Sequence, residues 1–250
     1  MLTYHGIHLP EVTRDQVLEG LDHFFFRRYY TRREKPAVSG AIWTVGVADT
    51  LDDWCSVYDS GENFRRANHL AKALSAYLHR PALWLGIFED LDFYYQLFHE
   101  GEAIDAYDSD PSIFDPDEGY TDDPEGPGWL PADFSGVNKD RNMAGLGNPA
   151  AFFSAVRPAV DDADLRLQAL LSRGRAYHAE GLPESAELSW AEEGVPRLAE
   201  LVGLDPARAR AGFDLLTAET DKPAWLHLYE YHKLAKVPEK PKRRRKEVEE

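Results

Sequence analysis

The residues of this chain best placed to do chemistry are carboxylates. Asp105, Asp108, Asp110, Asp115, Asp117, Glu118, Asp122, Asp123 and Glu125 follow one another with no base among them. Carboxylate oxygens are the ligands of hard divalent cations, which need several of them converging on one point. Asp108-Ser109-Asp110 opens like a calcium-binding loop, but Ile113 stands where that loop turns on glycine and Gly119 where it needs a bidentate glutamate. A start at Asp115 fails as well. The spacing predicts no metal site and no other cofactor. It fits a solvated acidic segment, or an acidic surface that docks a basic partner, because clustered like charges attract cations over a Debye length of roughly 8 Å at physiological salt.

Other motifs carry less. Gly145-Leu146-Gly147-Asn148-Pro149-Ala150 has the spacing of a dinucleotide-binding fingerprint, which works only when a buried strand delivers the glycines to a helix N-terminus. The preceding residues 137–144 are polar and charged, so a loop-to-helix turn is expected there. Cys55 follows Asp52, Asp53 and Trp54, and neighbouring carboxylates oppose thiolate formation, so a half-buried strand cysteine is expected rather than a nucleophile. The nine histidines are scattered and none falls in a His-Glu-x-x-His pattern, which leaves any histidine–carboxylate pair to be assembled by the fold.

Two basic features point toward nucleic acid. Residues 198–216 have the rhythm of a helix-turn-helix with Gly203 in the turn, and the second helix would expose Arg208 and Arg210. Arg243, Arg244 and Arg245 lie in the basic run from Lys242 to Lys246. The charge balance opposes that reading: 44 acidic against 28 basic side chains give a formal charge of -16. From Lys236 onward bases outnumber acids, so the rest of the chain is more negative than the total. Such a surface is repelled by nucleic acid and by anionic lipid.

Composition sets the frame. With 43% hydrophobic and 12% aromatic residues in 250, the chain affords an ordinary core and is neither generically disordered nor collagen-like. The first ten residues are too polar for a signal peptide, and no run approaches the ~20 apolar residues of a membrane-spanning helix. A lone cysteine suits a reducing compartment, so a cytoplasmic protein is expected.

The elements that must position these residues follow from periodicity. Thr13 and Gln16 form a capping box, with Val12 and Val17 as its staple, so a helix starts near Arg14. It is expected to run to about Tyr30, with an apolar stripe of Val17, Leu21, Phe24, Phe25 and Tyr29 and arginines crowding its end. Strands are expected at Ala41–Val47, Trp54–Tyr58, Leu83–Phe88, Phe93–Phe98 and Ala103–Tyr107, with an amphipathic helix from Ser60 to about Arg80 between the second and third. Residues 108–148 lose all periodicity and read as one long loop. Helices are expected again at Pro149–Val156, Leu165–Glu180, Pro183–Glu193, Pro196–Val202 and Pro206–Thr217, before a charged tail.

The expected fold is α+β, a mainly antiparallel five-stranded sheet with helices packed on it, followed by a small helical region. The expected organisation is a sheet domain at 1–107, an acidic linker at 108–148, a helical region at 149–235 and a flexible basic tail at 236–250. Strand aromatics alternate sides of the sheet: one face packs on helices, and the other is either covered by the C-terminal helices or left open. The preferred function is a binding or accessory protein, of the immunity-inhibitor or adaptor kind. It would engage a basic protein through Asp108, Asp110, Asp115, Asp117, Asp122 and Asp123, with Tyr95 and Tyr107 as aromatic anchors. The alternatives are a metal-dependent hydrolase using the clustered carboxylates, and a nucleic-acid accessory protein using residues 196–217 and the tail.

Overall fold

A computed structural model of the chain describes residues 3–32, 42–60, 64–88, 92–109, 147–180, 190–218 and 222–234. Its centre is an antiparallel sheet of eight strands, not the five expected. The strands are β1 (Tyr4–Pro10), β2 (Tyr30–Arg32), β3 (Ile42–Ala48), β4 (Trp54–Asp59), β5 (Ala82–Phe88), β6 (Asp92–His99), β7 (Glu102–Asp108) and β8 (Leu226–Lys233), in the spatial order β2-β8-β3-β4-β1-β5-β6-β7. Every neighbouring pair is antiparallel.

The three unexpected strands each have a physical reason. β1 reads as polar because of His5 and His8, yet it lies between β4 and β5 and is buried from Tyr4 to Leu9. Burial pushes His5 down to about 4. It also pushes His8 down to about 3, where Arg208 adds to the effect, so both are neutral core residues. β2 exists because helix α1 (Arg14–Phe26) stops one turn earlier than expected: Tyr29 takes φ +65°, outside the helical region, and the chain turns into the sheet at Tyr30. β8 comes from the far end of the chain and inserts between β2 and β3, so the helical half of the sequence returns a strand to the sheet.

Helices cover both faces. On one, α1 and α2 (Phe64–Leu78) bury Val17, Leu21, Phe25, Leu70 and Leu74 against Ile7, Leu9, Val45, Val57 and Trp84. The capping box at Thr13 is present, with the Thr13 N–H donating to Gln16 Oε1 at 2.9 Å and the Gln16 N–H donating to Thr13 Oγ1 at 3.3 Å. The other face carries α3 (Pro149–Ala155), α4 (Ala163–Glu180), α5 (Trp190–Val202), α6 (Pro206–Ala209) and α7 (Phe213–Ala218). Phe152, Leu167, Leu171, Val195 and Leu198 pack there on Leu85, Phe93, Tyr95 and Tyr107.

Two helix boundaries differ from expectation. α5 continues through Pro196 instead of breaking at it; the expected start of a helix at Pro183 lies outside the described residues. The expected helix from Pro206 to Thr217 is broken into α6 and α7. Gly212 lies so close to β1 that a Cβ there would meet Tyr4 Cβ at 2.6 Å, and the chain bends to pass.

Candidate functional site

The acidic segment is attached to the rim of the sheet by β6 and β7. Where it leaves, the Ser109 N–H donates to Phe93 O and the Phe93 N–H donates to Ser109 Oγ, each at 2.9 Å. Where the chain returns, the Gly147 N–H donates to Ala106 O at 2.9 Å and the Asn148 N–H donates to Asp105 Oδ1 at 2.9 Å. Exit and return are therefore fixed to the same two strands. Asn148 then starts α3, its side chain accepting from the N–H groups of Ala150 and Ala151 at 3.1 and 3.3 Å. Those N–H groups are the ones a pyrophosphate would need, and Asn148 occupies them.

Asp105 is the centre of this stem. It is almost fully buried, and its Oδ2 accepts the Tyr95 hydroxyl at 2.7 Å. Burial pushes its carboxyl up to about 7, opposed by the hydrogen bonds from Tyr95, Asn148 and the Ala106 backbone. Gly147 is required here: it has φ +71°, and a Cβ would come within 2.9 Å of the Tyr95 hydroxyl.

The aromatic anchors expected on an open face are inside the protein. Tyr95 and Tyr107 are both 0% exposed, stacked 5.8 Å apart beneath α3 to α5, and Tyr107 donates to Leu171 O at 3.0 Å. Since the C-terminal helices cover this face, neither tyrosine can touch a partner. Asp108 is also buried, on the opposite face of β7 and paired in register with Tyr94. Burial raises the Tyr94 hydroxyl, and Asp108 adds to that. Asp110, Asp115, Asp117, Asp122 and Asp123 lie outside the described residues, as do Arg243, Arg244 and Arg245.

Arg208 corrects the nucleic-acid alternative. The expected recognition helix is the four-residue α6, and Arg208 is 5% exposed rather than displayed. Its guanidinium lies 4.9 Å from the Trp225 ring centre and donates to Asp49 O, while its own carbonyl accepts the Tyr58 hydroxyl at 3.0 Å. It ties α6 to β4 and to the turn before it. Arg210 is exposed, but it follows a single helical turn and not a groove-reading helix.

The fold also assembles a pair that sequence reasoning missed. His8 Nδ1 lies 2.9 Å from Ser56 Oγ across the β1–β4 ladder, both residues fully buried. A serine beside an imidazole is the start of a nucleophilic site. Here it is sealed beneath the helices, and His8 Nε2 has no hydrogen-bond partner among the described residues to orient it. No sequence spacing announces this pair. Asp105 was named among the carboxylates, and its placement could have been found too, because it shares strand parity with Tyr107 and so must lie on whichever face those aromatics occupy. Cys55 is buried and donates to Ala48 O at 3.4 Å. Burial pushes its thiol up to about 12.

Among the described residues no three His, Cys, Asp or Glu side chains gather as metal ligands would. No described helix is long and apolar enough to cross a membrane. Fold and stem together define an α+β protein with an antiparallel sheet covered on both faces, from whose rim a long acid-rich segment departs and returns. No family model, curated protein or solved structure matches the chain significantly.

Proposed function

We propose that the chain is a cytoplasmic binding or accessory protein, of the immunity-inhibitor or adaptor kind, that engages a basic protein through the carboxylates following β7. What supports the reading is the stem. Ser109 at one end and Gly147 and Asn148 at the other are hydrogen-bonded to β6 and β7, so the run of unbalanced negative charge is tethered at both ends to a rigid rim. Asp105 and Tyr95 serve the stem, Asp108 and Tyr107 are buried, and contact falls to Asp110, Asp115, Asp117, Asp122 and Asp123. Charge of this kind speeds encounter and selects partners more than it holds them.

The test is capture from native lysate at low salt by the full chain and by a variant with Asp115, Asp117, Asp122 and Asp123 all changed to Asn. The reading expects a basic protein that elutes early in a salt gradient and is lost or greatly weakened with the variant. Equal capture with the same salt dependence would remove the acidic segment from the mechanism.

A further inference from the structure

A second feature carries the opposite charge. A groove of about 880 Å³ lies between α1 and α2, lined by His23, Phe24, Arg27 and Arg28 on one side and by Tyr77, His79 and two alanines on the other. In a chain of formal charge -16, two arginines and two histidines around one concavity call for an explanation.

Helix capping does not supply it. Each carbonyl of the last turn of α1 is already satisfied. His23 O accepts the Arg27 N–H at 3.3 Å, Phe25 O the Arg28 N–H at 2.9 Å and Phe26 O the Tyr29 N–H at 3.0 Å, while Phe24 O accepts one Arg28 guanidinium N–H at 3.2 Å. The Arg27 head is surplus to this scheme, and Arg28 spends one of its five donors on it. Ion pairing does not supply it either. Among the described residues no carboxylate pairs with Arg27 or Arg28, and Asp22, next to His23 in sequence, is engaged by Arg32 at 2.8 Å and by the Tyr231 hydroxyl at 3.0 Å. Glu100 lies 3.8 Å from His79 on the rim. Partial burial, and then the neighbouring Arg27, both oppose the charge on Arg28. An anion in the groove would relieve that repulsion.

The groove also carries aromatic surface. The Arg28 guanidinium carbon lies over the Phe24 ring, 3.6 Å from its centre, a cation–π contact that restrains the head. His23 stacks on Tyr77 with ring centres 4.9 Å apart and planes at 30°, and Tyr77 is 41% exposed. An exposed aromatic pair therefore joins the two sides of the groove, which is also lined by donors of the kind that bind phosphate oxygens in pairs.

We propose that the groove between α1 and α2 binds a phosphate ester carried on a planar ring, as in a nucleotide, with Arg27 and Arg28 on the phosphate oxygens and the ring against His23 and Tyr77. Calorimetric titration of the full chain with adenosine diphosphate, with pyrophosphate and with adenosine tests it. Saturable binding of the diphosphate is expected, weaker binding of pyrophosphate, and weakening of both by about tenfold or more in Arg27→Gln/Arg28→Gln, the scale of lost charge-assisted bonds. Tyr77→Ala should abolish the preference for the nucleotide while keeping pyrophosphate. The single Arg27→Gln change, at an exposed side chain, gives the same reading should the double variant fold poorly. The proposal is overturned by absence of saturable binding of either phosphate at millimolar concentration, by equal affinity in the arginine variants, or by a polyglutamate peptide binding where the phosphates do not.

Discussion

Asn148 donates its backbone N–H to the carboxylate of Asp105 across 2.9 Å and 43 positions of sequence. Through the other oxygen the same carboxylate holds the Tyr95 hydroxyl, so one side chain joins β6, β7 and the start of α3. It does this from a buried position, where a charged carboxylate is costly and its three neutral donors, Tyr95, Asn148 and the Ala106 backbone, only partly offset the lost hydration.

That cost sets a pH dependence. The Asp105 carboxyl is raised from 3.8 to about 7, so the folded state holds the proton more tightly than the unfolded chain. The stabilisation from this is complete below 3.8 and is lost as pH rises through 7. Asp105→Asn keeps an acceptor for Asn148 and offers an amide donor to Tyr95, without a charge. Denaturant titrations should show the variant gaining on the native chain by roughly 3 kcal/mol between pH 5 and 8.5.

His5 and His8 act in the opposite sense. Their values, about 4 and about 3, lie below 6.5, so the stability they contribute is present above 6.5 and is lost as pH falls toward those values. At pH 5 each histidine costs the fold roughly 2 kcal/mol relative to neutral pH. Changing His8 to Asn should lower the slope of unfolding free energy against pH between 6 and 4.5 by about one proton.

Cys55 should resist thiol reagents until the protein unfolds. With burial raising its thiol to about 12, the thiolate fraction at pH 7 is on the order of one in a hundred thousand. Labelling in native buffer should follow the rate of global unfolding, and labelling that is fast and independent of denaturant would show that β4 is not sealed.

Gly147→Ala tests the stem without touching a charge. Alanine at φ +71°, pressed against Leu171 and Tyr95, should cost about 2 kcal/mol and speed hydrogen exchange at the Asn148 amide before that of the central strands.

The legible part of the fold was the part built on apolar periodicity. β3 to β7 are β-branched and aromatic runs bounded by turns, and α1 and α2 show their stripes and, for α1, its cap. β1 escaped notice because two of its seven residues are histidines that read as solvated, whereas the fold buries them uncharged. β8 alternates Leu226, Leu228, Glu230 and His232 on one face, a pattern with too little apolar character to stand out beyond a helical region. At the stem, strand parity puts Asp105 and Tyr107 on one face, a step the reading of the acidic run did not take. Whether that face met water or helices was decided by packing between segments far apart in the chain, which local pattern does not encode. Arg208 misled for the same reason, since Trp225 and Asp49, which hold it, come from either side of it in sequence.

The position of β8 has a consequence for how the molecule is made. Asp49 and His227, which meet at 3.1 Å beside the β3–β8 ladder, are separated by 178 positions. During synthesis β3 therefore emerges long before its second neighbour, and its open edge, with Trp43 and Val45 alongside, must wait for most of the chain. A nascent or truncated product ending before Leu226 carries an unsatisfied sheet edge next to the aromatic cluster of Phe24, Phe25 and Trp43. It is an aggregation-prone species, and completing translation is what closes it.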